Sequence, residues 1–198
     1  MKKSFCLTLL AIFVLCANLN AQNKGYEKSI ELGYAVGIGK IQNDIFNISM
    51  INGYRLNNTF FIGVGVGIGY SDVIYHYKYE LGNITEFRSE VWLVPIFANI
   101  KVNLTNESKV SPFLSFDIGY TIDANQYLRD APGFMFKPNF GVDFKITQSV
   151  SIYTKIGINL QHFNYTYTRI GINYPIDWEM TDKSEMLKAI DIKIGFKF

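Results

Sequence analysis

An all-β fold, an eight-stranded antiparallel up-and-down transmembrane β-barrel, is predicted by three features of this sequence. Apolar residues alternate with small or polar ones at a period of two through most of the chain. No segment carries a helical period. The stretches joining the alternating runs are long at one end of the sheet and short at the other, as in barrels that cross a membrane.

The chain opens with "MKKSFCLTLLAIFVLCANLNAQ", two lysines followed by an apolar run from Phe5 to Ala17 and a small residue at Ala21. This reads as a secretory signal peptide over residues 1–21, leaving a single β-barrel domain over 22–198. The run is too short to span a bilayer as a helix. A lipid anchor on Cys16 would want a small residue before it, and Leu15 stands there. The whole chain carries 19 Lys plus Arg against 17 Asp plus Glu. Removing the leader takes Lys2, Lys3 and both cysteines, Cys6 and Cys16, and leaves a charge-balanced chain without a thiol. That balance argues against a nucleic-acid partner. The missing thiols exclude a disulfide framework and a thiolate metal site.

Taken in order, the first strand sets Ile30, Leu32, Tyr34, Val36 and Ile38 against Glu31, Gly33, Ala35, Gly37 and Gly39. The second opposes Phe46, Ile48, Met50 and Tyr54 to Asn47, Ser49, Gly53 and Arg55. The third is "FFIGVGVGIGYS", with Ile62, Val64, Val66 and Ile68 between Gly63, Gly65, Gly67 and Gly69. Its strict spacing of two never supplies the Gly-x-Gly-x-x-Gly of a dinucleotide loop, and the intervening residues are β-formers. The fourth has Trp92, Val94, Ile96, Ala98, Ile100 and Val102 opposite a mixed face ending in Asn99, Lys101 and Asn103. The fifth opposes Leu114, Phe116, Ile118 and Tyr120 to Ser115, Asp117 and Gly119. The sixth opposes Phe134, Phe136, Phe140, Val142 and Phe144 to Lys137, Asn139, Gly141, Asp143 and Lys145. The seventh opposes Val150, Ile152, Ile156, Ile158 and Leu160 to Ser151, Lys155, Gly157, Asn159 and Gln161. The eighth closes the chain with Ile190, Ile192, Ile194, Phe196 and Phe198 against Asp191, Lys193, Gly195 and Lys197.

Short polar turns are expected at 57–58, 105–109 and 147–149, and long loops at 71–86, 123–132 and 163–185, with a short connection near 40–44. Pro95, Pro112 and Pro138 fall inside strands, where each removes a ladder hydrogen bond and argues mildly against a central position.

Alternation leaves open which face points inward. A soluble lipocalin-like carrier has a greasy interior and a charged exterior. The apolar stripe here is nearly unbroken on every strand, more than a small interior holds, while the other face mixes Gly, Ala and Ser with both charge signs. That composition suits a lumen about one layer of side chains across. The stripe of about 11 residues, at roughly 3.3 Å each and a tilt of about 40°, rises about 28 Å, close to the apolar band of an outer membrane. Closure satisfies every backbone group, as lipid demands. The expectation is an outer-membrane barrel whose glycines make room for long polar side chains such as Arg55, Lys137 and Lys155.

The stretches "VWLVPIFANIKVNL" (91–104), "SPFLSFDIGYT" (111–121), "FKPNFGVDFKIT" (136–147) and "IDIKIGFKF" (190–198) resemble the small outer-membrane β-barrel proteins of the Bacteroidetes type, akin in architecture to the OmpA and OmpX barrels. The resemblance covers the chain after the leader. It implies insertion among outer-membrane lipids by the barrel-assembly machinery, with Phe196 and Phe198 as the assembly signal. It identifies no individual activity.

Some eight-stranded barrels modify lipid A with a His, a Ser and an acid near the outer rim. The candidates here are His76 with Ser71 and Asp72, and His162; strand alternation puts His76 and Ser71 on opposite faces, a poor dyad. No catalytic residue, cofactor site or metal site is assigned. The inward charges Glu31, Arg55, Lys101, Asp117, Asp143, Lys145, Lys155, Asp191 and Lys193 suit a plug of ion pairs, because buried charges must be paired, rather than an ion path. Tyr75, Tyr77, Tyr79, Tyr165, Tyr167 and Trp178 belong either to an interfacial belt and extended hairpins or to contacts with an extracellular ligand or protein. The reading is a structural or surface-interaction barrel, with a narrow pore, a lipid A-modifying enzyme and a soluble carrier as alternatives. Replacing Phe198 with Ser is expected to lower the amount of folded barrel in the membrane while secretion stays intact, measured by heat-modifiable migration of membrane fractions; unchanged folded levels would remove Phe198 from the assembly signal.

Overall fold

A computed structural model describes residues 25–38, 42–78, 84–105, 109–124, 132–147, 150–170 and 178–198. The proposed leader and Tyr79 lie outside the described residues. Eight strands follow one another: β1 (Tyr26–Gly37), β2 (Gln42–Arg55), β3 (Phe60–Lys78), β4 (Ile84–Asn103), β5 (Val110–Asp123), β6 (Pro132–Lys145), β7 (Ser151–Ile170) and β8 (Trp178–Lys197). Each pairs antiparallel with the next, and β8 pairs back onto β1 to close the barrel. Directly paired residues lead from Ser29 through Ile51, Gly65, Phe97, Gly119, Met135 and Gln161 to Leu187 on β8. Ser29 itself pairs with Lys197 across the seam, ten residues further along β8. That stagger is what eight strands tilted by about 40° require.

The predicted strand count and order are observed, and the strands on either side of 123–132 end and begin where that connection was expected, but the other two long loops are not observed. Strands β3, β4, β7 and β8 have 19 or 20 residues, against 12 to 14 in the others. Most of 71–86 and of 163–185 is therefore strand, not loop. Pairing of β3 with β2 ends at Ile74 and of β4 with β5 at Leu93, whereas β3 and β4 stay paired to Lys78 and Ile84. Likewise β7 leaves β6 at Phe163 and β8 leaves β1 at Ala189, while β7 and β8 continue to Ile170 and Trp178. Two tall hairpins thus stand on opposite sides of the ring, with the low walls β1–β2 and β5–β6 between them. Residues 79–83 and 171–177, between the paired strand ends, lie outside the described residues.

The prolines occupy strands of a sheet that has no edge. Ladder pairs are interrupted beside two of them, between Val66–Ile96 and Gly69–Leu93 at Pro95, and between Phe136–Leu160 and Asn139–Gly157 at Pro138. Each costs a local gap in one ladder, while the other neighbour keeps its register through Pro95–Thr121 and Phe116–Pro138. Pro112 lies at the start of β5, where its carbonyl accepts the Leu104 N–H at 2.8 Å.

The predicted inversion of faces is observed. Val64 is 63% exposed and Ile194 59%, whereas Asp117 and Asp143 are fully buried. Phe134 and Phe144 bound the outward face of β6; their ten-residue separation, at roughly 3.3 Å per residue and a tilt of about 40°, gives an apolar height of about 25 Å. Tyr70 and Trp92 meet edge to face, with ring centroids 5.4 Å apart, at the end nearer the tall hairpins. Phe196 and Phe198 lie 5.8 Å apart at the other end. Aromatic rings thus bound the band on both sides, as expected at membrane interfaces.

One expectation about the glycines is corrected. On β3, Gly63 and Gly65 receive aromatic rings, while Gly67 faces Ser49 and Pro95 and Gly69 faces Ile45 and Leu93; none receives a long polar chain. Gly65 lies directly opposite Phe97, whose ring fills the space a Cβ would take. Gly141 stands in the same relation to Phe113 on β5, and Gly195 to Tyr153 on β7. Phe61 covers Gly53 and Gly63. Only Gly33 on β1 serves as expected, with the Lys193 stem and the Asn47 amide against it at 2.8 Å from a built Cβ. Each ring needs a bare neighbour because the lumen is one side-chain layer across. Gly65→Val is therefore expected to destabilise the barrel by about 1–3 kcal/mol through overpacking. Gly69→Ala, whose Cβ would meet Ile45 at 3.3 Å, should cost less. Urea unfolding in detergent measures both. Val64→Arg, near the middle of the outer face of β3, should cost roughly 2–4 kcal/mol in lipid vesicles, and no loss there would contradict a lipid-facing position.

Candidate functional site

The lumen is the chemically dense region of the described molecule, and odd-numbered positions of every strand build it. Near its centre the Glu31 carboxylate accepts four hydrogen bonds. Tyr153 Oη donates at 2.7 Å, Lys155 Nζ at 2.8 Å, Lys193 Nζ at 3.2 Å and Ser49 Oγ at 3.4 Å. Lys155 also lies 3.4 Å from Asp117, which accepts the side-chain amides of Asn99 and Asn139. Asp191 has Lys137 at 3.7 Å and Lys193 at 3.8 Å. Three lysines (137, 155 and 193) therefore face three carboxylates (31, 117 and 191) in one connected group.

A second group sits nearer the end that carries the N-terminus of β1. Asp143 holds Lys197 at 2.9 Å and Lys101 at 3.3 Å on the same oxygen. The Lys101 ammonium also lies over the Phe113 ring, 3.8 Å from its centroid, and 4.6 Å from that of Tyr153. At the rim Arg55 clasps both oxygens of Glu27 and donates to Asn103 at 3.3 Å. Toward the tall hairpins a buried apolar cluster of Ala35, Ile45, Val91, Leu93 and Ala189 fills the lumen, beside the buried Ser71 and Asp123. The lumen is thus filled with paired charge over most of its depth and mainly with apolar side chains at the other end.

The predicted lumen charges Glu31, Asp117, Asp143, Lys155, Lys101, Asp191 and Lys193 are all buried in this network. Arg55 faces the same way but sits at the half-buried rim. Lys145 is a correction: it is exposed, because β6 ends there and the chain enters the turn. Glu27 was missed because the first strand starts four residues earlier than its apolar run suggests. Tyr153, Phe61, Phe97 and Phe113 were missed because aromatic character masked their odd-numbered phase. The findable signal was a glycine at the matching height of the adjacent strand.

The rim candidates are kept apart. Ser71 is buried in the lumen and donates to the Asp44 carbonyl at 3.0 Å. The backbone of His76 is five residues on along the same continuous strand, about 16 Å at strand rise. His162 is in β7, beside Gly133 of β6. Tyr75 and Tyr77 fall on β3, Tyr165 and Tyr167 on β7, and Trp178 begins β8, so all five belong to the tall hairpins. Among the described residues no three His, Cys, Asp or Glu side chains converge on a metal position.

The sequence matches no protein-family model and no curated protein. Solved structures do share its fold. The outer membrane protein OprG of Pseudomonas aeruginosa aligns with a TM-score of 0.56 at 11% identity, over 89% of this chain and 97% of that one. Neisserial surface protein A aligns with a TM-score of 0.52 at 12% identity, over 88% of this chain and 96% of that one. Glu31→Gln removes one charge from the central node and leaves Lys155 and Lys193 under-neutralised, an expected loss of about 3–5 kcal/mol. Lys145→Gln at the exposed turn should change stability by no more than about 0.5 kcal/mol. Unfolding in detergent micelles compares the two, and equal effects would mean that the lumen charges are solvated. With its apolar belt outward, its charges inward and this fold, the chain is a small eight-stranded β-barrel of the outer membrane.

Proposed function

We propose that this barrel is a structural or surface-interaction protein, exported through residues 1–21 and related to the Bacteroidetes-type barrels its sequence resembles. The observation that carries the reading is the division of the lumen. Paired charges occupy its depth and a mainly apolar layer fills it beneath the tall hairpins, which argues against a continuous water path. Chemical variety is displaced to the hairpins and their tips. There Tyr75, Tyr77, Tyr79, Tyr165, Tyr167 and Trp178 offer contact area at low conformational cost to an extracellular ligand or protein. The separation of Ser71 from His76 favours no acyl-transfer chemistry.

Planar-bilayer recording set beside cell-surface binding tests this reading. The purified protein is expected to give no stable unitary current, and shortening both tall hairpins beyond the Ile74–Arg88 and Phe163–Glu185 pairs to tight turns is expected to abolish surface binding while the barrel still folds. Stable currents would favour the pore. Lipid A altered in acylation only when His76 or His162 is intact would favour the enzyme. Unchanged surface behaviour of the shortened barrel would leave a structural role alone.

A further inference from the structure

We infer that the half of the lumen nearer the chain termini contains a binding site for one small monovalent anion of the halide class. A cavity of about 20 Å³ lies there, walled by Lys101, Lys197, Ser115, Asn99, Phe113 and Tyr153 among others. That is room for a single water-sized occupant and too little for a polyatomic organic anion.

The charge around the cavity is uneven. Glu31 also borders it, but its carboxylate is saturated by Tyr153, Lys155, Lys193 and Ser49. Glu27 is neutralised by the Arg55 guanidinium. The central group balances three lysines against three carboxylates. Lys101 and Lys197, in contrast, share one carboxylate oxygen of Asp143. Lys28, 3% exposed, also lines the cavity. Positive charge is thereby in excess at the cavity wall, and an uncompensated charge at low dielectric is costly.

A second observation points into the same space. Ser115 is 1% exposed, and its hydroxyl has no hydrogen-bond partner within the protein. A buried hydroxyl is seldom left unpaired. An anion in the cavity would accept from Ser115 and neutralise the surplus of the Lys101–Lys197 pair. A water would satisfy the hydroxyl and leave the charge.

The test uses the folded barrel in detergent. Crystals grown in bromide are expected to show an anomalous peak in the cavity within hydrogen-bond distance of Ser115. At fixed ionic strength, chloride or bromide should raise the thermal midpoint saturably relative to gluconate, which is too large to enter. Ser115→Ala should weaken the halide response about tenfold while the barrel still folds, as expected for a lost hydrogen bond to an ion. Lys101→Met should abolish it. Should Lys101→Met fail to fold, the bromide peak and Ser115→Ala decide alone. Water without anomalous signal in the cavity, equal midpoints in bromide and gluconate, or an unchanged response in Ser115→Ala would each overturn the site.

Discussion

Hydrocarbon offers a peptide group no hydrogen-bond partner, so a sheet that enters it must leave no edge. In this chain the β1–β8 seam meets that condition. Ser29 to Gly37 pair with Lys197 to Ala189, and Lys28 and Phe198 exchange N–H···O bonds of 3.0 and 2.9 Å at the end of the ladder. Closure at this strand number and stagger fixes the bore. The narrow bore fixes what each inward position can carry.

Two consequences follow from the bore. An inward aromatic fits only where the neighbouring strand is bare, which is why Phe97, Phe113 and Tyr153 each stand opposite a glycine. A charge fits only where a partner from another strand reaches it, and Glu31 shows how far such a group extends. Its ligands come from β2, β7 and β8, so one carboxylate ties together strands far apart in the chain. Breaking such a node is costly because the remaining ions stay buried. Above this network Ala35, Ile45, Val91, Leu93 and Ala189 need no partners, and they help to fill the lumen at the level where the tall hairpins begin.

The strand count, the inversion of faces and most lumen charges were legible because a period of two survives any local irregularity. The alternation of Ile62, Val64 and Ile68 with glycine states the faces of β3 as plainly as its exposures do. Less legible was where strands stop. "DVIYHYK" and "NYTYTRI" have lost the apolar stripe and look like loops, yet their backbones stay paired with the partner strand of each hairpin. Above the lipid, pairing no longer requires an apolar outer face. The role of the glycines was misassigned for a related reason. A bare position announces space, but the residue that fills it is set by the stagger between strands, which no single strand encodes. Pro95 and Pro138 argued against central strands by a rule that weighs a whole ladder, whereas each interrupts only one of its two.

The central claim is that the lumen is a close-packed core with no continuous water path, surrounded by a lipid-facing shell. Residues 22–198 contain no cysteine, so single thiols can be placed at will. Ser49→Cys and Thr121→Cys introduce near-isosteric thiols at lumen positions only 2% exposed, and Ile118→Cys places one on the outer face. The most direct measurement is the reaction of the barrel in liposomes with a small water-soluble thiol reagent, alongside quenching of a label on Ile118→Cys by a lipid-soluble quencher. The expected result is no modification of the lumen thiols until the barrel is unfolded, and strong quenching at 118. Rapid labelling of Ser49→Cys or Thr121→Cys in the folded barrel, or a label at 118 quenched only from water, would contradict the account.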